Sequence, residues 1–506
     1  MKIINKYILV LLTVMMTWSC EGFLDKNPTD ELSSDLFWRS KGDFDNALAA
    51  VYATMQNSIY SYGVPNWDVL TDNGYGQHNY EGSNAIVQGN IFPSTGGYVS
   101  SVYSSAYQAI ARVNIFLKNL NDYQGPDIDE ELRRIYEGEA KFIRGFYYFQ
   151  LYQAYGSVPV VTEALSLENQ HQPKNPASEV FGQAVADLDD AINFLPEEPY
   201  FISGGHAVKS SAQALKIRVL MFNAYDENGN AKPDILQEAQ QLIPPILEAG
   251  YELDQNYSDV FKDGTQEGNR EIIFSIKFLA PDNSTPMDQW YGDWYVVSPL
   301  QNLIDEYEYT DGLLPGESPL TNDADPFENR DPRLQHTIFV EDVDWGDGNV
   351  HTPSNDGPTG YGLKKFLTPG LIPYGYSTRS QQDWVLLRLA DILLLQAEIE
   401  NELNGSSMLA YEAVNAVRSR ADMPALPTGL GQEDMRESIR HERRIELAFE
   451  GSRYYDLKRW RIAEQVLNNV EDGVIPYHFE ERFYHWPIPQ SEIDKSDGTL
   501  TQNPDY

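Results

Sequence analysis

The sequence predicts a mainly α-helical protein, with a scaffold of tetratricopeptide-like helical hairpins at 43–250 and 384–466 and an irregular, loop-rich cap at about 255–382. Two observations support the scaffold. Long segments place apolar residues at spacings of three and four, which puts them on one helix face, and small residues line the inner faces of paired segments. The cap segment is instead rich in Pro, Gly, Asp, Trp and Tyr, and contains only short strand-like runs such as 271–278.

The strongest predicted helix is Glu130–Tyr155. Tyr136, Ile143 and other apolar residues recur on one face, and additional Phe residues widen that face until neighbours must enclose the helix. Acidic residues begin the segment, and Gly156 follows it as a stop signal. We therefore expect this helix to lie at the centre of the protein.

Apolar periodicity predicts the other helices in chain order. They are expected at 43–59, 101–120, 177–195, 209–225, 234–249, 384–401, 407–421, 433–450 and 456–466. Pro244 and Pro245 predict a break or kink in the fifth of these. Residues 60–98 follow neither a helical nor a strand period, and long aperiodic stretches in compact proteins are usually functional or disordered. Their many aromatic residues argue against disorder.

The chain of 506 residues is strongly acidic, with 76 Asp and Glu against 37 Lys and Arg. Because phosphate binding requires clustered positive charge, this balance argues against a nucleic-acid partner. It also disfavours polyanionic ligands, although a local basic cleft would override the average. A neutral or weakly charged ligand is the better expectation.

The N-terminus has the pattern of a lipoprotein signal peptide at 1–19. Lys2 and Lys6 precede a short apolar run over 7–17, and the chain's single cysteine, Cys20, follows shortly after it. We expect Cys20 to be the lipidated first residue of the mature protein, and 20–506 to form a single domain. The alternative is an ordinary secretory signal with a stray cysteine. One cysteine excludes disulfides and Cys-ligated metal sites within the monomer.

Familiar catalytic motifs are missing from the sequence. There is no GxSxG elbow, phosphate-binding loop or HExxH motif, and no two histidines pair at helical spacing. We expect no catalytic residues, no metal site and no cofactor. The charged segment 441–447 could be mistaken for an active site, but its apolar neighbours favour ion pairs within and between helices. Arg388 and Asp391 are interpreted in the same way.

Sorting the tryptophans leaves four in aperiodic segments, namely Trp67, Trp290, Trp294 and Trp345. An aromatic ring offers the C–H face of a sugar a flat apolar platform, while nearby amides and carboxylates bind the hydroxyls. The predicted ligand-binding residues are Trp67, Asp72, Asn73, Tyr75, Trp290, Tyr291 and Trp294. The alternative is that these tryptophans attach the cap to the scaffold, and the sequence leaves both possibilities open.

Distinctive segments occur in a fixed order along the whole chain. They are FLDKNPTDELS at 23–33, GEAKFIRGFYYFQLYQAYGSVPVV at 138–161, SAQALKIRVLMFNA at 211–224, NREIIFSIKF at 269–278, RDPRL at 330–334, LLRLADILLLQAE at 386–398, RHERRIELAFEGSRYYDLKRW at 440–460, HWPIPQSEI at 485–493 and TQNPDY at 501–506. Together these segments resemble the SusD/RagB family of nutrient-binding outer-membrane lipoproteins.

The resemblance implies four tetratricopeptide-like hairpins and a lipid anchor at the cell surface. It also implies capture of a glycan without catalysis, and delivery to a SusC-like TonB-dependent transporter in the outer membrane. Ligand contacts in this family lie in variable loops, which correspond here to about 67–98 and 286–296, so no ligand residue is transferred by motif. Peptide binding on the same architecture, a glycosidase, and an assembly scaffold without a ligand remain alternatives.

Overall fold

The computed structural model describes residues 37–340, 357–471 and 473–506, together with the backbone of 343–344 and 350–351. The predicted signal peptide, Cys20 and Trp345 lie outside the described residues. Within the described ranges, no helix has both the length and the apolar character needed to cross a bilayer.

The structure confirms a mainly helical fold with short strands. The helices are α1 (Lys41–Tyr52), α2 (Ser83–Val87), α3 (Tyr98–Asp122), α4 (Glu130–Tyr155), α5 (Ala177–Phe194), α6 (Lys209–Phe222), α7 (Pro233–Glu248), α8 (Met287–Gly292), α9 (Gln301–Ile304), α10 (Pro332–Thr337), α11 (Leu389–Asn404), α12 (Met408–Arg420), α13 (Gln432–Glu446), α14 (Arg453–Arg459), α15 (Ala463–Leu467) and α16 (Gln490–Lys495). Successive helices pack as pairs, including α4 with α5, α6 with α7 and α11 with α12.

The strands form two-stranded antiparallel pairs, each joining distant parts of the chain or closing a short loop. They are β1 (Gly74–Gly76) with β3 (Val297–Pro299), β2 (Ile272–Ile276) with β8 (Trp384–Arg388), β4 (Ile338–Phe339) with β7 (Gly362–Leu363), and β5 (Val343–Asp344) with β6 (Val350–His351). The first two pairs connect the cap to the N-terminal loops and to the C-terminal half of the scaffold.

Helix α4 has the predicted bounds and the predicted central position. The Asp129 side chain caps its start by accepting from the Leu132 amide at 2.9 Å, and Gly156, with a φ of +68°, ends it. The Phe142 ring contacts the ring of Phe274 in β2, with 4.9 Å between the two centroids. Gly145 lets α5 approach closely, since a Cβ there would lie 3.0 Å from Leu188. Neighbours therefore enclose α4, as its wide apolar face predicted.

Three helix predictions need correction. Residues Trp384–Arg388 form β8 rather than the start of a helix, because their buried apolar side chains pair with β2. Helix α7 continues through Pro244 and Pro245 without the predicted break, and buried apolar residues lie on both sides of them. The helix predicted over 456–466 is two short helices, α14 and α15.

A buried network of ion pairs connects the cap to the scaffold. Glu446 of α13 accepts from Arg333 of α10 at 2.9 Å, from Arg388 of β8 at 2.6 Å, and from Arg420 of α12. Glu271 joins the same network through Arg388 at 2.8 Å. The charges of segment 441–447 thus form ion pairs between elements, which confirms the structural interpretation of that segment.

Arg388 and Asp391 are also structural, although they pair with other residues. Asp391 accepts from Arg218 at 2.6 Å and from Arg443 at 2.8 Å. Burial alone would raise the pKa of Asp391, but the two guanidinium groups outweigh burial and hold that pKa well below its usual range.

Candidate ligand-binding site

The two aperiodic loops predicted to contact a ligand converge in the structure. Strand β1 of the first loop pairs with β3, which follows the second, and Tyr75 lies opposite Ser298. The pairing extends beyond the strands, because the Gln77 amide donates to the Val296 carbonyl at 3.2 Å. Residues from 67–98 and 286–296 therefore meet on one side of the scaffold.

An open cavity lies where these loops meet. We call it the aromatic hollow, and its lining residues are His78, Tyr80, Trp290, Trp294 and Val296. Its volume is about 380 Å³. This falls within the range of about 300–1,000 Å³ that is usual for small-molecule pockets.

Helix α8 and the turn after it position the two tryptophans. Met287 and Tyr291 of α8 are buried, whereas Trp290 of the same helix is partly exposed. Trp294 lies two residues beyond α8, is also partly exposed, and donates its amide to the Gln289 carbonyl at 3.0 Å. The Val296 amide donates to the Trp290 carbonyl at 3.1 Å, which folds the chain back under the rings. Gly292 is required here, since a Cβ would lie 2.4 Å from the Tyr374 ring.

Neighbouring rings hold the walls of the aromatic hollow. Trp290 makes edge-to-face contacts with Tyr62 and Tyr80, each at 5.1 Å between centroids. The Tyr80 hydroxyl donates to Ser58 at 2.6 Å, and a ring nitrogen of His78 lies 2.9 Å from the Trp294 carbonyl oxygen. These contacts fix the orientation of the rings before any ligand arrives.

Tyr376 extends the aromatic surface outward. Its ring lies 5.6 Å from that of Trp294, and 80 % of the residue is exposed. A large aromatic side chain in this position gains little from burial within the protein, which makes it available to a ligand.

The structure contradicts the prediction that Trp67 is an exposed platform. Trp67 is 3 % exposed and lies in a 3₁₀ helix, Val64–Leu70, whose residues are all buried. The centroid of its ring lies 4.5 Å from that of Tyr98 and 5.9 Å from that of Trp486, on which it stacks. Its indole N–H donates to the Ile59 carbonyl at 3.1 Å. Both ring faces are occupied, so this tryptophan belongs to the core.

Asp72 and Asn73 are also buried and structural. Asp72 forms an ion pair with Arg444 at 2.9 Å and accepts from Arg453 at 3.0 Å, while Asn73 donates to Asp68 at 2.8 Å. Burial would raise the pKa of Asp72, yet the two arginines keep it far below its usual range. These side chains attach the loop to α13 and α14, and they are not free to bind a ligand.

Two predicted tyrosines lie close to the aromatic hollow without lining it. Tyr291 is fully buried and its hydroxyl donates to the Tyr62 carbonyl at 2.7 Å, which corrects the prediction for this residue. Tyr75 is half-buried in β1 and is not one of the lining residues. Of the seven predicted residues, Trp290 and Trp294 are the two that line the aromatic hollow.

Sequence reasoning missed His78, Tyr80 and Tyr376. All three lie in aperiodic segments, where no apolar period indicates which side chains face outward. Including every Tyr and His of the two loops, and not only Tyr75 and Tyr291, would have included His78 and Tyr80.

The lining of the aromatic hollow offers flat aromatic surfaces for binding. None of its five residues is a carboxylate, a serine or a cysteine. Among the residues that the structure describes, no three His, Cys, Asp or Glu side chains cluster as a metal site would require. What the aromatic hollow offers is a set of fixed rings that stack on apolar faces of a ligand.

Comparison with known proteins identifies the family. A SusD family model matches residues 258–506, and a SusD-like model described as "Starch-binding associating with outer membrane" matches 22–221. A SusD-like protein from Formosa agariphila is 27% identical over 97% of both chains.

Solved structures of similar proteins share the fold of this chain. A SusD-like carbohydrate-binding protein from Bacteroides fragilis superposes with a TM-score of 0.80 at 25% identity, covering 92% of this chain and 99% of that one. A laminarin-binding SusD-like protein superposes with a TM-score of 0.69 at 24% identity, covering 92% of this chain and 100% of that one. The chain described here belongs to the SusD-like family.

Proposed function

We propose that this protein is a non-catalytic glycan-binding protein of the outer membrane, and that it binds its glycan in the aromatic hollow. The observation that supports this most strongly is the arrangement of Trp290, Trp294 and Tyr80 around one open cavity of about 380 Å³. Fixed rings of this kind stack on sugar rings, and preorganisation reduces the entropic cost of binding.

The similar proteins support a glycan as the ligand. One solved relative is a carbohydrate-binding protein, another binds laminarin, and the N-terminal family model is described as starch-binding. The chain has a net charge of −39, which would repel an anionic polysaccharide. We therefore propose a neutral glycan, and laminarin and starch are the first probes.

Anchoring and delivery complete the proposal. We propose that Cys20 is lipidated and tethers the protein to the outer membrane, which agrees with the membrane association in the family description. We further propose that the captured glycan passes to a SusC-like TonB-dependent transporter. We propose that the glycan is handed on intact, because none of the five residues lining the aromatic hollow is one of the carboxylates that glycoside hydrolysis usually requires.

Calorimetry on a soluble form that starts after Cys20 tests the binding step. The protein is titrated with laminarin, soluble starch and a mixture of oligopeptides. We expect binding to a neutral glycan, and a loss of about tenfold or more in affinity in Trp290→Ala and Trp294→Ala, because a tryptophan anchor commonly contributes about 2 kcal/mol. Phe92→Ala is the control, because Phe92 is exposed but does not line the aromatic hollow.

Three results would contradict the proposal. They are binding of peptides but of no glycan, unchanged glycan affinity in both tryptophan variants, and release of shorter sugars from the polysaccharide by the purified protein.

A further inference from the structure

A second and larger cavity lies between α1 and β2. We call it the α1–β2 cleft, and its volume is about 580 Å³. Asp45, Ala49 and Tyr52 of α1 line one wall, and Lys277, at the end of β2, lines the other. His206 and Asn283 contribute to the rim.

The α1–β2 cleft has an apolar floor and a polar rim. Leu48 and Ile276 are among its buried lining residues. At the rim, cations are held next to carboxylates. Lys41 lies 2.7 Å from Asp45, and His206, whose side chain is 63% exposed, lies 2.7 Å from Glu139.

Lys277 completes the rim and lies 2.8 Å from Asp383. The Lys41–Asp45 pair presents a donor and an acceptor side by side, which matches neighbouring hydroxyl groups of a sugar. Lys277 and His206 add two further rim cations, whose partners Asp383 and Glu139 are buried. Because each cation has its own carboxylate, the α1–β2 cleft carries little net charge. It therefore suits a neutral polar ligand better than an ion.

Tyr62 and Phe278 connect the wall of the aromatic hollow to the segment that lines the α1–β2 cleft. Tyr62 contacts Trp290 of the aromatic hollow at 5.1 Å and contacts Phe278 at 6.2 Å, which bounds the Trp290–Phe278 separation at about 11 Å. Phe278 directly follows Lys277 of the α1–β2 cleft. The turn beyond it is exposed, with Leu279 67% exposed, and returns to Asn283 at the cleft rim.

We propose that the α1–β2 cleft is a second saccharide subsite, so that one extended glycan chain occupies both the aromatic hollow and the α1–β2 cleft. This inference rests on the proposed function and adds to it the size of the ligand. A short oligosaccharide fills the aromatic hollow alone, whereas a longer one continues across the exposed turn at 279–283 and reaches the rim pairs of the α1–β2 cleft.

A blocking variant tests the subsite. Ala49→Trp places a bulky side chain in the α1–β2 cleft, and Ala50→Trp places the same side chain on the exposed surface of α1 outside it. Affinities are measured for size-fractionated laminarin and starch oligosaccharides, from disaccharide to decasaccharide. We expect Ala49→Trp to weaken the longest bound oligosaccharides by about tenfold and to leave the shortest unchanged, with no effect of Ala50→Trp.

The outcomes separate the two proposals. If long oligosaccharides bind Ala49→Trp as tightly as wild type, or if Ala50→Trp weakens them equally, the subsite is wrong. If Trp290→Ala binds oligosaccharides of every length as tightly as wild type does, the proposed function is wrong instead. If wild type binds neither series, both proposals fail. Asn283→Trp blocks the cleft from its rim and replaces Ala49→Trp should that variant not fold.

Discussion

Trp67 and Trp290 have the same side chain and lie in loops that meet, yet their surroundings give them different roles. Trp67 is enclosed by Tyr98, Trp486 and the backbone of Ile59. Trp290 contacts tyrosines at its edge and keeps part of its surface open to the aromatic hollow. We therefore expect substitutions at the two positions to affect different properties.

The Trp67→Ala variant should lose stability. Removing a fully buried aromatic side chain leaves a cavity and costs about 3–5 kcal/mol. Urea unfolding followed by circular dichroism measures the change, and Trp290→Ala, at a half-exposed position, is the control with the smaller loss. Equal losses in the two variants would contradict the assignment of Trp67 to the core.

The sequence predicts which loops line the aromatic hollow but not which of their rings face outward. Apolar spacing identifies a buried face only when a helix or strand period exists, and Trp67 lies in a segment that shows neither. Its burial also depends on Trp486, which is remote in sequence. The Asp72 carboxylate is likewise buried by arginines from α13 and α14.

Lys458 gives the protein a specific pH dependence. Its ammonium donates to the Gln153 carbonyl at 3.1 Å, and no carboxylate of the described residues lies within salt-bridge distance. Burial lowers the pKa of Lys458 from 10.5 to about 7, with the Arg461 charge adding to the effect. Between these two pH values the unfolded chain binds a proton that the folded protein does not, so this residue's contribution to stability falls as the pH falls.

Replacing Lys458 by methionine should remove this dependence. We expect Lys458→Met to be more stable than wild type by an amount that is larger at pH 7 than at pH 9, with a difference of about 1 kcal/mol per pH unit. Urea unfolding at both pH values measures it. Lys118→Met is the control, because the Lys118 side chain is 61% exposed. An advantage that does not change with pH would show that Lys458 stays protonated in the fold.

At the scale of elements, glycines set the spacing between α4 and α5. Gly145 of α4 faces α5, and a Cβ there would lie 3.0 Å from Leu188 and 3.3 Å from the Ala184 carbonyl oxygen. A Cβ atom added at Gly182 of α5 would have no heavy atom within 4 Å. Because backbone atoms cannot move aside as a flexible side chain can, the added methyl group at Gly145 forces the two helices apart.

The two glycine positions should respond to alanine with opposite signs. Gly145→Ala is expected to lower the free energy of unfolding by about 1–3 kcal/mol through overpacking. Gly182→Ala is expected to raise it by up to about 1 kcal/mol through helix propensity. Thermal unfolding of both variants provides the measurement. Stabilisation by Gly145→Ala would show that α4 and α5 are less tightly packed than described.

Long helices could be predicted from sequence because their signals are local. Helix α4 has its apolar period within its own residues and its caps, Asp129 and Gly156, directly beside them, so local sequence predicts its bounds correctly. Strand β8 could not be predicted in this way. A short apolar run fits a helix and a strand equally well, and its partner β2 lies more than a hundred residues earlier.

For the whole molecule, the buried ion pairs connect parts of the chain that lie far apart in sequence. Glu446 binds arginines from the cap, from β8 and from α12. Burial would raise the pKa of Glu446, but the arginines lower it well below the ordinary value. Its contribution to stability is therefore complete above about pH 4.5 and is lost as the pH falls through that lowered pKa.

Neutralising Glu446 should weaken the attachment of the cap. Glu446→Gln leaves arginines buried without their shared carboxylate, and the loss of stability should be about 3–5 kcal/mol. Glu437→Gln on the same helix is the control, since the Glu437 side chain is 61% exposed and its pair with Arg440 is worth less than about 1 kcal/mol. Urea unfolding compares the two. Similar stabilities would show that the network does not hold the cap in place.

The central claim is that a helical scaffold presents fixed aromatic rings to a glycan. A crystal structure of the soluble protein with a bound laminarin or starch oligosaccharide tests it most directly. The account predicts a sugar ring against Trp290 or Trp294, within the cavity bounded by His78 and Tyr80. Sugar density at another surface, with the aromatic hollow empty, would contradict it.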